Sequence, residues 1–141
     1  MTLRYLLDTS TVSRAEGRFP NHDVVSRLRD VGDQAALASV VWYELRYGME
    51  RLPDSRRKSE IQRFLQDVVQ PSYFVLPYDT EAAAWHAQEA ARLEQEGLTR
   101  PFRDGQIAAI AAVNDLTVVT ANVRDFEHFR RLVVEDWSSG R

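Results

Sequence analysis

The sequence has no cysteine. That excludes disulfides, a catalytic thiol and zinc sites built on thiolates, and it fits a reducing, cytoplasmic setting. Lysine is almost missing: Lys58 stands alone among 18 basic residues, the others all being arginine. The amino terminus carries no long apolar run, so neither a signal peptide nor a membrane span is expected. There is no excess of positive charge. The formal net charge is −3, which argues against a generally basic nucleic-acid binder. No repeat, low-complexity run or long linker divides the chain. The histidines, His22, His86 and His128, show no metal-ligand spacing and read as surface or structural residues. No serine nucleophile with a nearby histidine is evident.

What is present is a chain of 141 residues, 44% apolar, enough for one compact domain spanning residues 1–141 with a real core. The arginine bias has two readings. Guanidinium is the better fork for phosphate oxygens, and a GC-rich genome also favours arginine codons. Short apolar strands are expected at Arg4–Leu7, Ala35–Ser39, Tyr73–Pro77, Leu116–Ala121 and Leu132–Asp136. Between them the spacing predicts helices. One begins at Asn21 and ends at Gly32, and one runs from a Ser39 cap to about Arg51. Another covers Asp54 to Val69, with Ile61, Phe64, Leu65 and Val68 on its apolar face. A long one runs from an Asp79 cap to Gly97, one covers Asp104 to Asn114, and a short turn covers Asp125 to Arg130. Strands alternating with helices, all of them apolar, imply an α/β fold with a parallel sheet covered on both faces. In such sheets functional groups gather beyond the carboxyl ends of the strands. Asp8 and Asn122 both sit at such ends.

Three acids stand out. Asp8 directly follows the apolar pair Leu6 and Leu7. Glu44 falls within the stripe formed by Val41, Leu45, Gly48 and Leu52, where a carboxylate is costly unless paired or bound to a cation. Asp104 shares a face with Ile107, Ala108 and Ala111 and points inward from a helix amino terminus. Each also has a plain structural reading: Asp8 and Asp104 as helix caps, Glu44 as the partner of an arginine. Taken together they fit a site for a hard divalent cation, Mg²⁺ or Mn²⁺, which takes carboxylate oxygens and leaves positions for water and phosphate. The chemistry that follows is metal-dependent phosphodiester hydrolysis.

The motifs that carry these acids resemble those of the PIN-domain ribonucleases, and among them the VapC-type toxins of bacterial toxin–antitoxin pairs. LLDTSTVS resembles the opening strand with its first metal-binding acid, here Asp8. ASVVWYELRYGME places the second acid on Glu44, and PFRDGQIAAIAA places the third on Asp104. LTVVTANVRDFEHF resembles the fourth motif and LVVEDW the closing strand, so the likeness spans nearly the whole chain. The resemblance implies a three-layer α/β/α sandwich, Mg²⁺-dependent endonucleolytic cleavage of RNA in the cytoplasm, and inhibition by a cognate VapB-type antitoxin whose tail lies across the groove near the acids. It further implies a homodimer that reaches DNA only through the antitoxin. Under it, Asp8 and Asp104 hold the cation directly and Glu44 directly or through water. Asn122 completes the shell where the fullest pattern has a fourth aspartate. With one charge fewer, a single tightly held cation is expected.

Auxiliary candidates surround these acids. Ser10 suits orienting Asp8 or a metal water and equally suits starting the first helix; Thr120 lies beside Asn122; Asp125 reads as a helix cap or a substitute acid. Arg100 and Arg103 flank the third motif as candidate contacts to the scissile phosphate, or as partners of local acids. The basic run from Arg51 to Arg63 reads as an RNA or antitoxin track or as a solvated helix face. Trp42, Tyr43 and Tyr47 suit base stacking or packing. Ala82, Ala83, Ala87 and Ala90 form a small-residue face for close helix packing. A competing reading is a catalytically silent module that only binds antitoxin and tunes operator binding. An aspartyl-phosphate phosphatase is disfavoured, because its second aspartate would fall at Ser10.

Overall fold

The computed structural model describes residues 2–138 and contains a single five-stranded sheet, parallel throughout. Its strands are β1 (Tyr5–Leu7), β2 (Ala35–Ala38), β3 (Phe74–Leu76), β4 (Thr117–Val119) and β5 (Val134–Glu135), in the order β3-β2-β1-β4-β5. Leu6 lies between Ala36 and Val118, and Leu7 between Leu37 and Val119. Successive strand residues point to opposite faces, yet Leu6, Leu7, all of β2, Val118 and Val119 are buried. Both faces of the sheet are therefore covered, the α/β/α arrangement expected from the apolar strands. Only the edge strand β3 leaves Phe74 and Val75 exposed.

The covering helices are α1 (Thr9–Arg14), α2 (His22–Val31), α3 (Ser39–Glu50), α4 (Arg56–Phe64), α5 (Gln70–Ser72), α6 (Thr80–Gln95) and α7 (Phe102–Val113). Several ends are closed as their sequences require. The Asn21 side chain accepts from Val24 N at 3.0 Å, Asp79 accepts from Ala82 N at 2.9 Å, and Gly97 turns the chain after α6 with φ +70°.

Other boundaries differ from expectation. Ser39 is the first residue of α3, and the cap position belongs to Ala38, without a side-chain bond. The helix expected from about Asp54 begins at Arg56, where Ser55 caps α4 by accepting from Lys58 N at 3.1 Å. α4 then continues through a π-helical turn, Leu65–Val69, and on into α5 to Ser72. The wider turn inserts one residue into the helical repeat. Val69 rather than Val68 is consequently buried beside Leu65, and Val68 is left 49% exposed. α7 starts at Phe102, two residues before Asp104, with Pro101 at its cap. The alanine face of α6 is also rotated: its buried stripe is Ala82, His86, Glu89 and Leu93, while Ala87 is exposed.

α6 packs against α7, and the closest approach is at Gly105. A Cβ there would lie 2.1 Å from His86 Nε2, so only glycine admits the ring. His86 in turn hydrogen-bonds the Tyr78 hydroxyl through Nδ1 at 2.7 Å, and its burial lowers its pKa. This contact seats the amino-terminal turn of α7, and with it Asp104, against the rest of the fold. No helix among the described residues is long and apolar enough to cross a membrane.

Candidate active site

β1 delivers Asp8 to the site. Its backbone N–H still pairs with Val119 O at 2.9 Å, so the residue leaves the sheet in register with β4. It then caps α1, with Oδ1 accepting from Thr9 N at 2.8 Å. Oδ2 accepts from the buried Thr120 hydroxyl at 2.8 Å. The carboxylate is only 1% exposed and is fixed from two strand ends. Capping and site formation are thus the same geometry here, not alternatives.

α3 contributes Glu44. Oε1 accepts from the Thr9 hydroxyl at 2.5 Å and from Arg103 Nη2 at 2.6 Å; Oε2 accepts from Arg103 Nε at 2.7 Å. α7 contributes Asp104, whose Oδ1 accepts from Arg103 Nη1 at 2.8 Å. Arg103 Nη2 also reaches Asp8 Oδ1 at 2.7 Å. The three acids expected from the sequence are therefore brought together, and one guanidinium binds all of them. Of the two readings given for Arg103, the contacts match the second: it is a partner of local acids and stands at their centre.

The electrostatics follow from this geometry. Burial acts to raise the Glu44 pKa, but the bonds from Arg103 and Thr9 and the charge of Arg103 outweigh it and hold the carboxyl below its ordinary value. Asp104 goes the other way. Burial pushes its pKa up, the bond and charge of Arg103 oppose this, and the charges of Asp125 and Asp8 add to the upward push. Hydrogen bonding to Glu44 raises the Arg103 pKa against the effect of burial, so this group stays charged. One guanidinium thus faces three carboxyl groups, and burial is the largest influence on Asp104.

The remaining candidates divide. Ser10 neither touches a carboxylate nor caps α1; its hydroxyl accepts from Ala121 N at 3.0 Å and lies 3.3 Å from Thr120 Oγ1, tying α1 to the exit of β4. Thr120 proves to be a direct partner of Asp8. Asn122 is exposed, and its side chain makes no hydrogen bond among the described residues; its backbone N–H donates to Thr120 Oγ1 at 3.0 Å. The cap position of the following 3₁₀ turn, Val123–Phe126, belongs to Asn122, so Asp125 is not the cap but sits inside the turn, near enough to Asp104 to act on its charge. Arg100 pairs with Glu94 at 2.5 Å and makes no bond to the three acids. Thr9 was not singled out by sequence, although it directly follows Asp8. It binds Asp8 through its N–H and Glu44 through its hydroxyl, and it accepts from Arg103 at 3.2 Å.

Two clefts adjoin the cluster. One, of about 540 Å³, is lined by Arg100, Asp104, Arg124 and Asp125 among others. The second, of about 320 Å³, has Thr9, Glu44, Leu45, Met49, Ile61 and Phe64 in its walls. In the basic run beyond it, Arg57 makes a two-pronged pair with Glu16 at 2.7 and 2.9 Å, and Lys58 bonds Leu52 O at 3.1 Å. Tyr43 and Tyr47 are exposed and stacked on each other, centroids 5.8 Å apart, whereas Trp42 is partly buried against the core.

The donor set consists of hard carboxylate oxygens from three elements around a point already taken by a cationic group, and this chemistry fits a divalent metal. As the side chains stand, no three Asp, Glu or His residues among the described ones are spaced to share one ion, because Arg103 holds the acids instead.

Comparison with known proteins places this arrangement. A family model described as PIN domain matches residues 5–132. The tRNA(fMet)-specific endonuclease VapC of Salmonella typhimurium is 32% identical over 136 residues, covering 96% of this chain and 98% of that protein. In FitAcB from Neisseria gonorrhoeae, a crystal structure, one chain superposes with a TM-score of 0.84 at 29% identity, covering 93% of this chain and 96% of that one. A chain of VapBC2 from Rickettsia felis, solved bound to a fragment of promoter DNA, gives 0.82 at 26% identity, covering 96% and 99%.

Proposed function

This chain belongs to the PIN-domain family, in its VapC-type branch, and from that premise we propose that it is a Mg²⁺-dependent endoribonuclease, the toxin of a toxin–antitoxin pair. The observation that carries the proposal is the convergence of Asp8, Glu44 and Asp104 on one cation-occupied point at the carboxyl ends of β1 and β4. A parallel sheet puts its functional groups there.

Asp8, Asp104 and Glu44 are the residues that would hold Mg²⁺, or Mn²⁺ in its place. When bound, such a cation supplies Lewis acidity toward a phosphoryl oxygen and makes water a better nucleophile near neutral pH. The chain's own groups do the positioning. Thr120 and the Thr9 N–H fix the two oxygens of Asp8. The Thr9 hydroxyl orients Glu44, which suits positioning an attacking water. Arg100 and Arg124 line the cleft on the Asp104 side and suit the RNA backbone there. The cleft on the Glu44 side, with Leu45, Met49, Ile61 and Phe64 in its walls, suits an apolar segment of a cognate antitoxin lying beside the acids. A homodimer acting in the cytoplasm, reaching DNA only through that antitoxin, completes the reading.

The decisive experiment compares wild type with Asp8→Asn and Asp104→Asn. Both variants should lose Mg²⁺-dependent RNA cleavage and growth arrest while keeping their circular dichroism; full toxicity in both would refute the assignment. The occupation of the three acids by Arg103 is the observation that suits the silent binding module instead, and absence of cleavage of any RNA by wild type across a Mg²⁺ titration would favour it.

A further inference from the structure

Arg103 makes four bonds to the three carboxylates: Nε to Glu44 at 2.7 Å, Nη1 to Asp104 at 2.8 Å, and Nη2 to both Asp8 at 2.7 Å and Glu44 at 2.6 Å. We infer that Arg103 is a built-in counter-cation of this site, in direct competition with a divalent cation, so that metal binding requires the guanidinium to leave the acids and turn into the adjoining cleft. The inference rests on the metal-site reading above and adds a switch to it.

Three features carry it. First, the oxygens are shared. Asp8 Oδ2 accepts from Thr120, and Oδ1 accepts from both Thr9 N and Arg103, so a cation that binds Oδ1 takes the position Arg103 fills. A divalent ion bound by the Asp8 and Asp104 oxygens that Arg103 now bonds would have to displace the guanidinium from them. Second, the two are both cations, and repulsion at such separation adds to the steric exclusion. Third, Arg103 has a way out. Its side chain is 35% exposed, whereas that of Asp8 is 1% and that of Asp104 is 13% exposed. It springs from the first turn of α7, next to the cleft lined by Asp104, Arg100 and Arg124. Asp8 is held at the sheet and Asp104 on α7, while Arg103, and beside it Glu44 at 29%, are the exposed members of the cluster. Metal-free protein is thereby spared bare carboxylate repulsion, and metal-loaded protein gains a guanidinium beside the place where an RNA phosphate would lie.

The test uses the full chain and Mn²⁺ as probe, with binding followed by electron paramagnetic resonance and calorimetry in wild type, Arg103→Gln and Arg103→Lys. Removing the competitor should tighten Mn²⁺ binding in Arg103→Gln by about tenfold or more, lower the Tm of the metal-free protein, and enlarge the Tm rise on adding Mn²⁺. Arg103→Lys should fall between. In wild type, Mg²⁺ should shift the Arg103 Nε–H resonance toward that of an unbonded arginine, a readout that does not depend on a variant folding. Wild type that binds Mn²⁺ with unchanged or weaker binding in Arg103→Gln, or an Arg103 resonance unmoved by saturating Mg²⁺, overturns the competition while leaving the metal site standing. Absence of Mn²⁺ binding in all three proteins overturns the metal reading and the inference with it.

Discussion

Thr120 donates its hydroxyl hydrogen to Asp8 Oδ2 at 2.8 Å, across the seam between β4 and β1 and 112 positions along the chain. Both groups are buried, with exposures of 0% and 1%. The bond fixes the rotamer of the first acid from the neighbouring strand, and Ser10 and Asn122 N–H hold Thr120 in turn. Thr120→Val removes the donor while keeping the shape. RNA cleavage should fall by about 10–100-fold, the usual cost of losing a residue that orients a metal ligand, with Thr120→Ser retaining most of it. Initial rates on one RNA substrate at fixed Mg²⁺ decide the matter; equal rates for Val and wild type would show that the bond positions nothing.

Gly105 admits His86, and a methyl group there would meet the ring at 2.1 Å. Gly105→Ala should destabilise the protein by about 1–3 kcal/mol through overpacking, read as a lower urea midpoint. His86→Ala in the same chain should recover part of that loss by opening the space. Additive losses in the double variant would mean that the two residues do not meet.

Glu89 is buried on α6 and accepts from Arg92 at 2.8 and 3.0 Å and from Arg130 N at 2.8 Å. The bond from Arg92 lowers its pKa below 4.5, against burial. Between the folded and unfolded values the unfolded chain binds more protons, so stability rises with pH across that interval. The contribution is complete above about 4.5 and is lost as the pH falls through the folded value. Glu89→Gln should therefore cost about 1–3 kcal/mol at neutral pH. Its deficit against wild type should shrink on acidification below the unfolded value, measured by denaturation at both pH values.

The π-helical turn makes a contrast between neighbours. Val69→Ala should cost about 2 kcal/mol, the burial of two methylene equivalents, because Val69 is 1% exposed. Val68→Ala, at 49% exposure, should stay within about 0.5 kcal/mol of wild type. The reverse order would place the turn elsewhere.

The same turn shows where reading by period stops. Ile61, Phe64, Leu65 and Val68 fit a repeat of 3.6, and the helix honours it as far as Leu65. One inserted residue then passes the inward position to Val69, and nothing local in LQDVVQ announces the insertion, since Val68 and Val69 are equally apolar. Boundaries failed where capping residues compete. Asp54 and Ser55 are both good caps, and Ser55 lies where its oxygen meets Lys58 N. Asp104 looks like a helix start but lies in the first turn behind Pro101, whose fixed φ suits the position just outside.

The sequence by itself determined the parallel α/β architecture, because short, wholly apolar strands between amphipathic helices can be buried only inside a sheet covered on both sides. It also singled out acids that the structure brings together, because Asp8 follows the apolar pair Leu6 and Leu7 and Asp104 shares a face with Ile107, Ala108 and Ala111. Only the tertiary structure decided how those acids are held. Asp8 meets Thr120, and Arg103 meets Glu44, across separations of 112 and 59 positions. Contacts of that kind leave no local trace, since they depend on which strands become neighbours and on where α7 lands. An arginine next to an aspartate reads the same whether it faces solvent or fills the centre of a site. Its four bonds to three carboxylates are what assigned Arg103 to the centre.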